Sequence, residues 1–284
     1  MITVKQLEFS YKMATGKAIK GIDFNIKDGE IFGFLGPSGA GKTTTQRIII
    51  GLLRGYLGSV EVFGRERRLW GKGIFEKVGV AFDFPNLYEK LTAYENLDLL
   101  GSYYRNNSSS KDELLGSVGL LPDRNKRVEK FSKGMKMRLN FIRSVMHDPE
   151  LLFFDEPTSG LDPVNAKIIR NMILDFKRRG KTVFLTTHNM AEADYLCDRV
   201  AFIVDGEVPV IDSPEELKLK HGRKMVKVVY NGQDSLQEEQ FPLPGIGGNH
   251  KFFDILNSGK VRTMHTQEAT LEDIFIKLTG KELL

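Results

Sequence analysis

The chain has 284 residues, enough for one large domain and a small one with ample core. Its 41 Lys and Arg against 37 Asp and Glu are too balanced to argue for nucleic acid as a partner, and the basic clusters at 65–68 and 177–181 read as solvated faces. The single cysteine, Cys197, excludes an internal disulfide and fits a reducing compartment, no apolar run approaches the ~20 residues of a membrane helix, and the first five residues show no signal-peptide pattern, so the expectation is a cytosolic chain or one held to a membrane by a partner.

Residues 1–35 read as β structure. Ile22, Phe24 and Ile26 alternate with Asp23, Asn25 and Lys27, the pattern of a half-buried strand, and Asp28-Gly29 signals a turn before an apolar strand at 31–35. That strand runs into Gly36-Pro37-Ser38-Gly39-Ala40-Gly41-Lys42-Thr43, a G-x-x-x-x-G-K-[ST] phosphate-binding loop, and a helix carries the chain on through Thr44. Strand, glycine loop and helix is the context the motif needs, because backbone N–H groups then line one concavity that the positive helix end also faces. Lys42 is in reach of β- and γ-phosphates, and the Thr43 hydroxyl of Mg²⁺. The helix is expected to end near Leu53, ahead of Gly55 and Gly58, with strands at 59–63 and 78–82.

Between about 84 and 148 the pattern turns helical. Thr92 caps a helix through Leu100, 106–110 is a polar loop, and Ser110-Lys111-Asp112-Glu113 is a capping box. Ser132 caps a long helix whose apolar face carries Met135, Leu139, Ile142, Val145 and Met146. The segment reads as a helical insertion. Leu151-Leu152-Phe153-Phe154 is then a strand apolar on both faces, ending in Asp155-Glu156. Asp162 as N-cap and Pro163 at the first helical position start a helix that Gly180 stops. A strand at 182–187 ends at His188, and a helix near 191–197, a strand at 200–204, the turn Asp205-Gly206 and a strand at 207–211 follow. The alternation predicts a mostly parallel sheet, with the glycine loop, Asp155-Glu156 and His188 at strand carboxyl ends, where ligands bind. Past 212, a helix opened by Ser213-Pro214, short strands at 226–230, 251–256 and 261–265, the separator Phe241-Pro242-Leu243-Pro244-Gly245 and a last helix at 271–278 between Thr270 and Gly280 form a small C-terminal α+β appendage.

Taken in order, the motifs over residues 1–211 resemble the nucleotide-binding subunit of ABC transporters. Residues 78–83 resemble the strand into that family's Q-loop, with Asp83 in place of glutamine. Phe131-Ser132-Lys133-Gly134-Met135 resembles its signature motif, with Lys133 in place of the first glycine. Residues 151–156 are similar to the Walker B strand, Ser159-Gly160-Leu161-Asp162 to the D-loop, and His188 to the switch histidine. Tyr11 resembles the aromatic that stacks on adenine, with Phe9 a neighbouring candidate. The tail at 271–275 resembles ATPase subunits of type-2 ABC exporters.

The resemblance implies an α/β P-loop NTPase core with a mostly parallel sheet, an N-terminal antiparallel β part, a helical insertion and, at 212–284, an accessory domain. It implies ATP and Mg²⁺: the phosphates on Gly36 to Thr44, the cation on Thr43 and Asp155 with Asp83 beside it, an attacking water oriented by Glu156, and a γ-phosphate contact from His188 alongside Lys42. Ser132 and Gly134 would contact ATP held by an opposite subunit, and Asp162 joins the nucleotide-binding set through the D-loop. The implied partners are a second copy or a related ATP-binding subunit and a multi-span membrane permease, which would hold the chain on the inner face of the cell membrane. Two departures stand out. Lys133 is strained if a positive φ is needed there, or else its charge faces solvent. The Asp83 carboxylate is repelled by a γ-phosphate unless Mg²⁺ or its waters intervene. They motivate a reading as a regulatory nucleotide binder with little turnover, opposed by the presence of both Glu156 and His188; a soluble ABC ATPase outside transport is a further reading, opposed by the single such domain and the lack of sustained heptads.

Overall fold

A computed structural model describes residues 1–12, 15–105, 109–222, 224–232 and 235–281, so part of the polar loop expected at 106–110 lies outside the described residues. The chain divides into two compact units, Met1–Asp212 and a second that begins at Ser213.

The first unit opens with β1 (Ile2–Phe9), β2 (Ile19–Ile26), β3 (Ile31–Leu35), α1 (Lys42–Ile50), β4 (Leu57–Val62), β5 (Arg65–Glu66) and β6 (Val78–Ala81). Three helices follow, α2 (Ala93–Gly101), α3 (Lys111–Ser117) and α4 (Lys133–Val145). It closes with β7 (Leu151–Asp155), α5 (Pro163–Arg178), β8 (Thr182–Thr187), α6 (Met190–Leu196), β9 (Arg199–Val204) and β10 (Glu207–Asp212). One antiparallel sheet has the order β2-β1-β4-β5. A second, of order β10-β9-β3-β8-β7-β6, is parallel throughout except for β10, which pairs antiparallel on its edge. The fold is therefore mixed α/β with a mostly parallel sheet. β3, β7 and β8 are buried along their whole length, as strands covered on both faces must be. Phe184 on β8 meets Phe34 and Phe153 at 5.5 Å between ring centroids, and Phe24 reaches from the antiparallel sheet to Phe34 at 5.4 Å. Because β3, β6, β7 and β8 run parallel, they deliver Gly36, Asp83, Asp155-Glu156 and His188 to one edge of the sheet.

β6 is the outer strand, and an open strand edge invites unwanted pairing. α4 and the turn that follows it cover it with side chains. Asn140 Nδ2 donates to the Phe82 carbonyl at 2.9 Å, the Arg143 guanidinium to that of Val80 at 3.1 Å, and His147 Nε2 to that of Val78 at 3.2 Å. Helix spacings of three and four residues thus match alternate carbonyls along the strand. Tyr104 stacks flat on His147 at 3.8 Å, and burial pushes the imidazole below its ordinary pKa, which keeps it neutral.

Most expected helix starts hold. Thr92 and Thr270 make reciprocal capping boxes with Glu95 and Asp273, and Ser132 and Asp162 cap α4 and α5. Ser110 accepts from the Glu113 N–H and so makes one half of the expected box. α1 stops at Ile50 rather than near Leu53, because Gly51 takes φ +88° and closes the helix. On α4, Met135 is only partly buried, whereas Met137 and Phe141 join the core.

The second unit holds α7 (Pro214–His221), β11 (Met225–Asn231), β12 (Leu236–Pro242), α8 (His250–Asn257), β13 (Val261–Gln267) and α9 (Leu271–Thr279). Its antiparallel sheet has the order β12-β11-β13, and Phe252 and Ile255 of α8 pack on Val226, Val228 and Phe241. Here the expected strand at 251–256 is corrected to a helix. Asn249 caps it by accepting from the Phe252 N–H, and Phe252, Ile255 and Leu256 recur at helical spacing. The separator at 241–245 is corrected in part, since Phe241 and Pro242 end β12, a strand whose other residues are mostly exposed and polar. Among the described residues, no helix is long and apolar enough to cross a membrane.

Two outcomes follow for the first unit. Arg143→Met keeps the stem but strips the Val80 carbonyl of its charged donor, and should lower the unfolding free energy by about 1.5–3 kcal/mol in urea titration. Cys197 is buried, and burial raises its thiol pKa far above the ordinary range, so alkylation with iodoacetamide should require unfolding. Labelling of the native chain at the rate of a free thiol would contradict that packing.

Candidate functional site

The loop after β3 is shaped by contacts that leave no room for side chains. A Cβ on Gly36 would run into the Ile203 carbonyl of β9, and Gly41 takes φ +114° as the N-cap of α1. The loop folds around its own lysine. Lys42 Nζ donates to the carbonyls of Gly36 at 2.6 Å and Pro37 at 3.0 Å, and the residue is 9% exposed. Burial lowers the Lys42 pKa, while the charges of Glu156 and Asp155 oppose the shift. No side chain caps α1, so its first N–H donors are open to an anion.

β7 brings the acids. Asp155, 3% exposed, accepts from Thr43 Oγ1 at 3.3 Å and from the Thr186 hydroxyl. Burial raises its pKa most; the Thr186 bond opposes this, and Asp83 and Glu156 push it further up. Glu156 has φ +49°, uncommon for a residue with a side chain. Its N–H donates to the Thr186 carbonyl at 2.9 Å. Its carboxylate accepts from the His188 N–H at 2.9 Å, from His188 Nδ1 at 2.7 Å and from Thr187 Oγ1 at 3.1 Å. The Nδ1 contact assigns a proton to that nitrogen. β8 lies between β3 and β7, which is why its last residues can hold both acids.

One cleft of about 790 Å³ gathers these groups. Ser38, Gly39, Gly41, Lys42, Thr43 and Thr44 line it from the loop, facing Asp83, Asp155, Glu156 and His188. Gly36, Pro37 and Ala40 shape the loop without lining the cleft, and neither do Ser132, Gly134, Asp162 and Tyr11. Ser132 Oγ accepts from the Met135 N–H at 3.2 Å, with Gly134 in the same first turn of α4. Asp162 accepts from the N–H groups of Val164 at 3.1 Å and Asn165 at 3.0 Å, and the Asn165 side chain leads in holding its pKa low. Tyr11 is exposed, shares a 3.0 Å hydrogen bond with Thr44 Oγ1 and meets Phe9 edge-on at 5.0 Å. Phe9 is buried, so Tyr11 alone offers a ring at the surface.

Several residues that the sequence reading did not place in the cleft line it or lie beside it, Phe84, Pro85, Phe131, Lys136 and Ser159 among the lining. Thr186 and Thr187 bind the two acids; two hydroxyls ending a strand buried on both faces were the available signal, since each needs a partner. Lys133 lines the cleft. It opens α4 without a positive φ, so of the two alternatives for this departure the strained backbone does not arise; the residue is exposed, and its ammonium has no hydrogen-bond or ion-pair partner among the described residues. The oxygens of Thr43, Asp155 and Asp83 suit a hard cation such as Mg²⁺. Among the described residues no three His, Cys, Asp or Glu side chains form a metal cage, so phosphate and water oxygens would complete the coordination.

Residues 19–159 match the ABC transporter family, and residues 224–268 match the fluoroquinolone efflux ABC transporter C-terminal domain. The chain is 49% identical over 284 residues to the fluoroquinolones export ATP-binding protein of Mycobacterium tuberculosis, covering 100% of this chain and 94% of that protein. It is 34% identical over 302 residues to the bacitracin transport ATP-binding protein of Bacillus licheniformis, covering 98% and 97%. Among solved structures it resembles an ATP-binding subunit of an ABC transporter, with a TM-score of 0.71 at 26% identity over 78% of this chain and 92% of that one. It also resembles a dimeric ATP-binding cassette in a post-hydrolysis state with ADP and Pi, with a TM-score of 0.68 at 29% identity over 75% and 98%. A glycine loop around a buried lysine, paired acids at the end of a parallel strand in the same sheet and relatives matched nearly end to end agree: the chain belongs to the ABC transporter family, as one of its ATP-binding, ATP-hydrolysing subunits.

Proposed function

We propose that this subunit hydrolyses ATP to drive a separate multi-span membrane permease in the direction of export, working from the inner face of the cell membrane. The observation that carries the proposal is the shared cleft, where Lys42 and Thr43 face Glu156 and His188. The direction rests on relatives whose names specify export of fluoroquinolones and of Nod factor. The permease rests on an ATPase fold in which no described helix can cross a membrane. Nothing in its balanced charge calls for a nucleic acid.

Each residue then has a task. The backbone from Gly36 to Thr43 and the start of α1 receive the β- and γ-phosphates. Lys42 exchanges its contacts to the Gly36 and Pro37 carbonyls for phosphate oxygens, and Thr44 adds a hydroxyl. Thr43 and Asp155 hold Mg²⁺ with Asp83 beside them, and the cation supplies neutralisation of charge on the β- and γ-oxygens. Asp83 then faces a cation rather than bare phosphate. Glu156 orients and polarises the attacking water once it yields part of its hold on His188, whose ring turns to the γ-phosphate. Tyr11 stacks on adenine. Ser132, Gly134 and Asp162 act on nucleotide held by a second copy or a related subunit, a reading supported by the dimeric neighbour. Closure of that dimer on ATP, and its opening after hydrolysis, is the stroke passed to the permease.

Lys42→Ala should weaken ATP binding by roughly 10- to 100-fold, the loss of a charged hydrogen-bonding partner, as read by fluorescent-nucleotide titration. Undiminished binding would remove Lys42 from the site. Glu156→Gln should bind ATP normally but lose turnover by roughly 10²-fold or more in a phosphate-release assay. With ATP the same variant should elute as a dimer in gel filtration, and a monomer at saturating nucleotide would speak against the two-chain site.

A further inference from the structure

α6 carries a buried acid that the proposed mechanism leaves without a task. Glu192 is 3% exposed, and burying a carboxyl is costly unless it is well partnered. One oxygen accepts from Thr158 Oγ1 at 2.8 Å; the other is buried with no hydrogen-bond partner among the described residues. Burial pushes the carboxyl's pKa up, opposed by the Thr158 bond and by Arg170 and His188, and reinforced by Glu156. A leucine would fill such a position at lower cost, so the acid needs a reason beyond packing.

The reason lies in what Thr158 belongs to. Residues 156–159 form a turn closed by the Ser159 N–H on the Glu156 carbonyl at 3.0 Å. Glu156 sits in this turn at φ +49°, a left-handed state that a residue with a side chain keeps only if its surroundings hold it there. From one side β8 holds it, through the Thr186 carbonyl, Thr187 and His188. From the other side, among the described residues, the Thr158 to Glu192 bond alone anchors the turn by a side chain. Glu192 is itself fixed to the histidine's loop, because its N–H donates to Asn189 Oδ1 at 3.0 Å, one residue after His188. A single residue therefore ties the turn that bears Glu156 to the segment that bears His188.

We infer that Glu192 is a positioning residue for hydrolysis: by holding Thr158 it keeps Glu156 in its left-handed backbone state and in register with His188. The inference rests on the proposed role of Glu156. The full-length chain tests it through phosphate release and ADP affinity measured side by side. Thr158→Val and Glu192→Leu should each lower kcat between about 10- and 100-fold, as a misplaced catalytic group does, with ADP affinity within about twofold of the parent. Thr158→Ser and Glu192→Gln, which keep a donor and an acceptor, should stay within about threefold of the parent kcat. Adding Glu192→Leu to Glu156→Gln should cost nothing further, since both act through one group. Full kcat in Thr158→Val overturns the inference, as do losses that multiply in the double variant or that fall equally on ADP affinity. Failure of the underlying reading looks different: Glu156→Gln would then turn over ATP as fast as the parent chain.

Discussion

A lysine ammonium and an aspartate carboxyl share the floor of the cleft, both nearly out of water, and the rest of the first unit is arranged around that constraint. Removing an ion from water costs several kcal/mol even after relaxation. Burial accordingly drives Lys42 down and Asp155 up in pKa, each toward its neutral form. The loop answers for the lysine with two carbonyls, and β8 answers for the aspartate with the Thr186 hydroxyl. Neither answer is a counter-ion. A phosphate chain carrying a cation would give Lys42 an anion and Asp155 a positive neighbour at once, so such binding would relieve a cost that folding leaves in place.

The strand order makes this possible. With β8 between β3 and β7, the glycine loop and the acids flank a strand whose last residues are all hydrogen-bonding groups. A parallel sheet puts these ends on one side, and α4 with the turn after it keeps the outer strand in place by reading its carbonyls with Asn140, Arg143 and His147. Asp83 leaves that same strand two residues beyond Ala81 and turns into the cleft. The helix whose C-terminal half clamps β6 is capped at its other end by Ser132, and spans about 20 Å at 1.5 Å per residue.

How much of this the sequence disclosed depends on range. The loop at 36–43, the apolar strand ending in Asp155-Glu156 and the caps at Thr92, Ser132, Asp162 and Thr270 were legible because each is set by neighbours within a few residues. Long-range partners were not. Hydropathy places Asn140 and His147 on a polar face, yet both are buried, because their partners are carbonyls of a strand about 60 residues earlier. α8 was taken for a strand since Phe252 and Phe253 suit either state, and β12 was missed because most of its residues are exposed and give no alternation. Thr186 and Thr187 lay next to His188 in plain view, but their role needs the sheet order, which pattern alone does not supply.

Lys133 shows how a departure from a motif is absorbed by its surroundings. At the first position of α4 the backbone is ordinary helix, so no glycine is required. The demand falls instead on the neighbouring loop. The Lys133 stem lies over Gly160, where φ is +72° and an added Cβ would sit 3.2 Å from the lysine Cε. Gly160 is thus restricted twice, by its backbone and by the side chain across it, while Lys133 can vary in everything except reach. Its ammonium has no partner among the described residues and lines a cleft that already concentrates positive charge on Lys42 and receives the negative field of Asp83, Asp155 and Glu156. The substitution that reads as a flaw in the motif therefore leaves the start of the helix intact and adds to the cleft a cation that no glycine could provide.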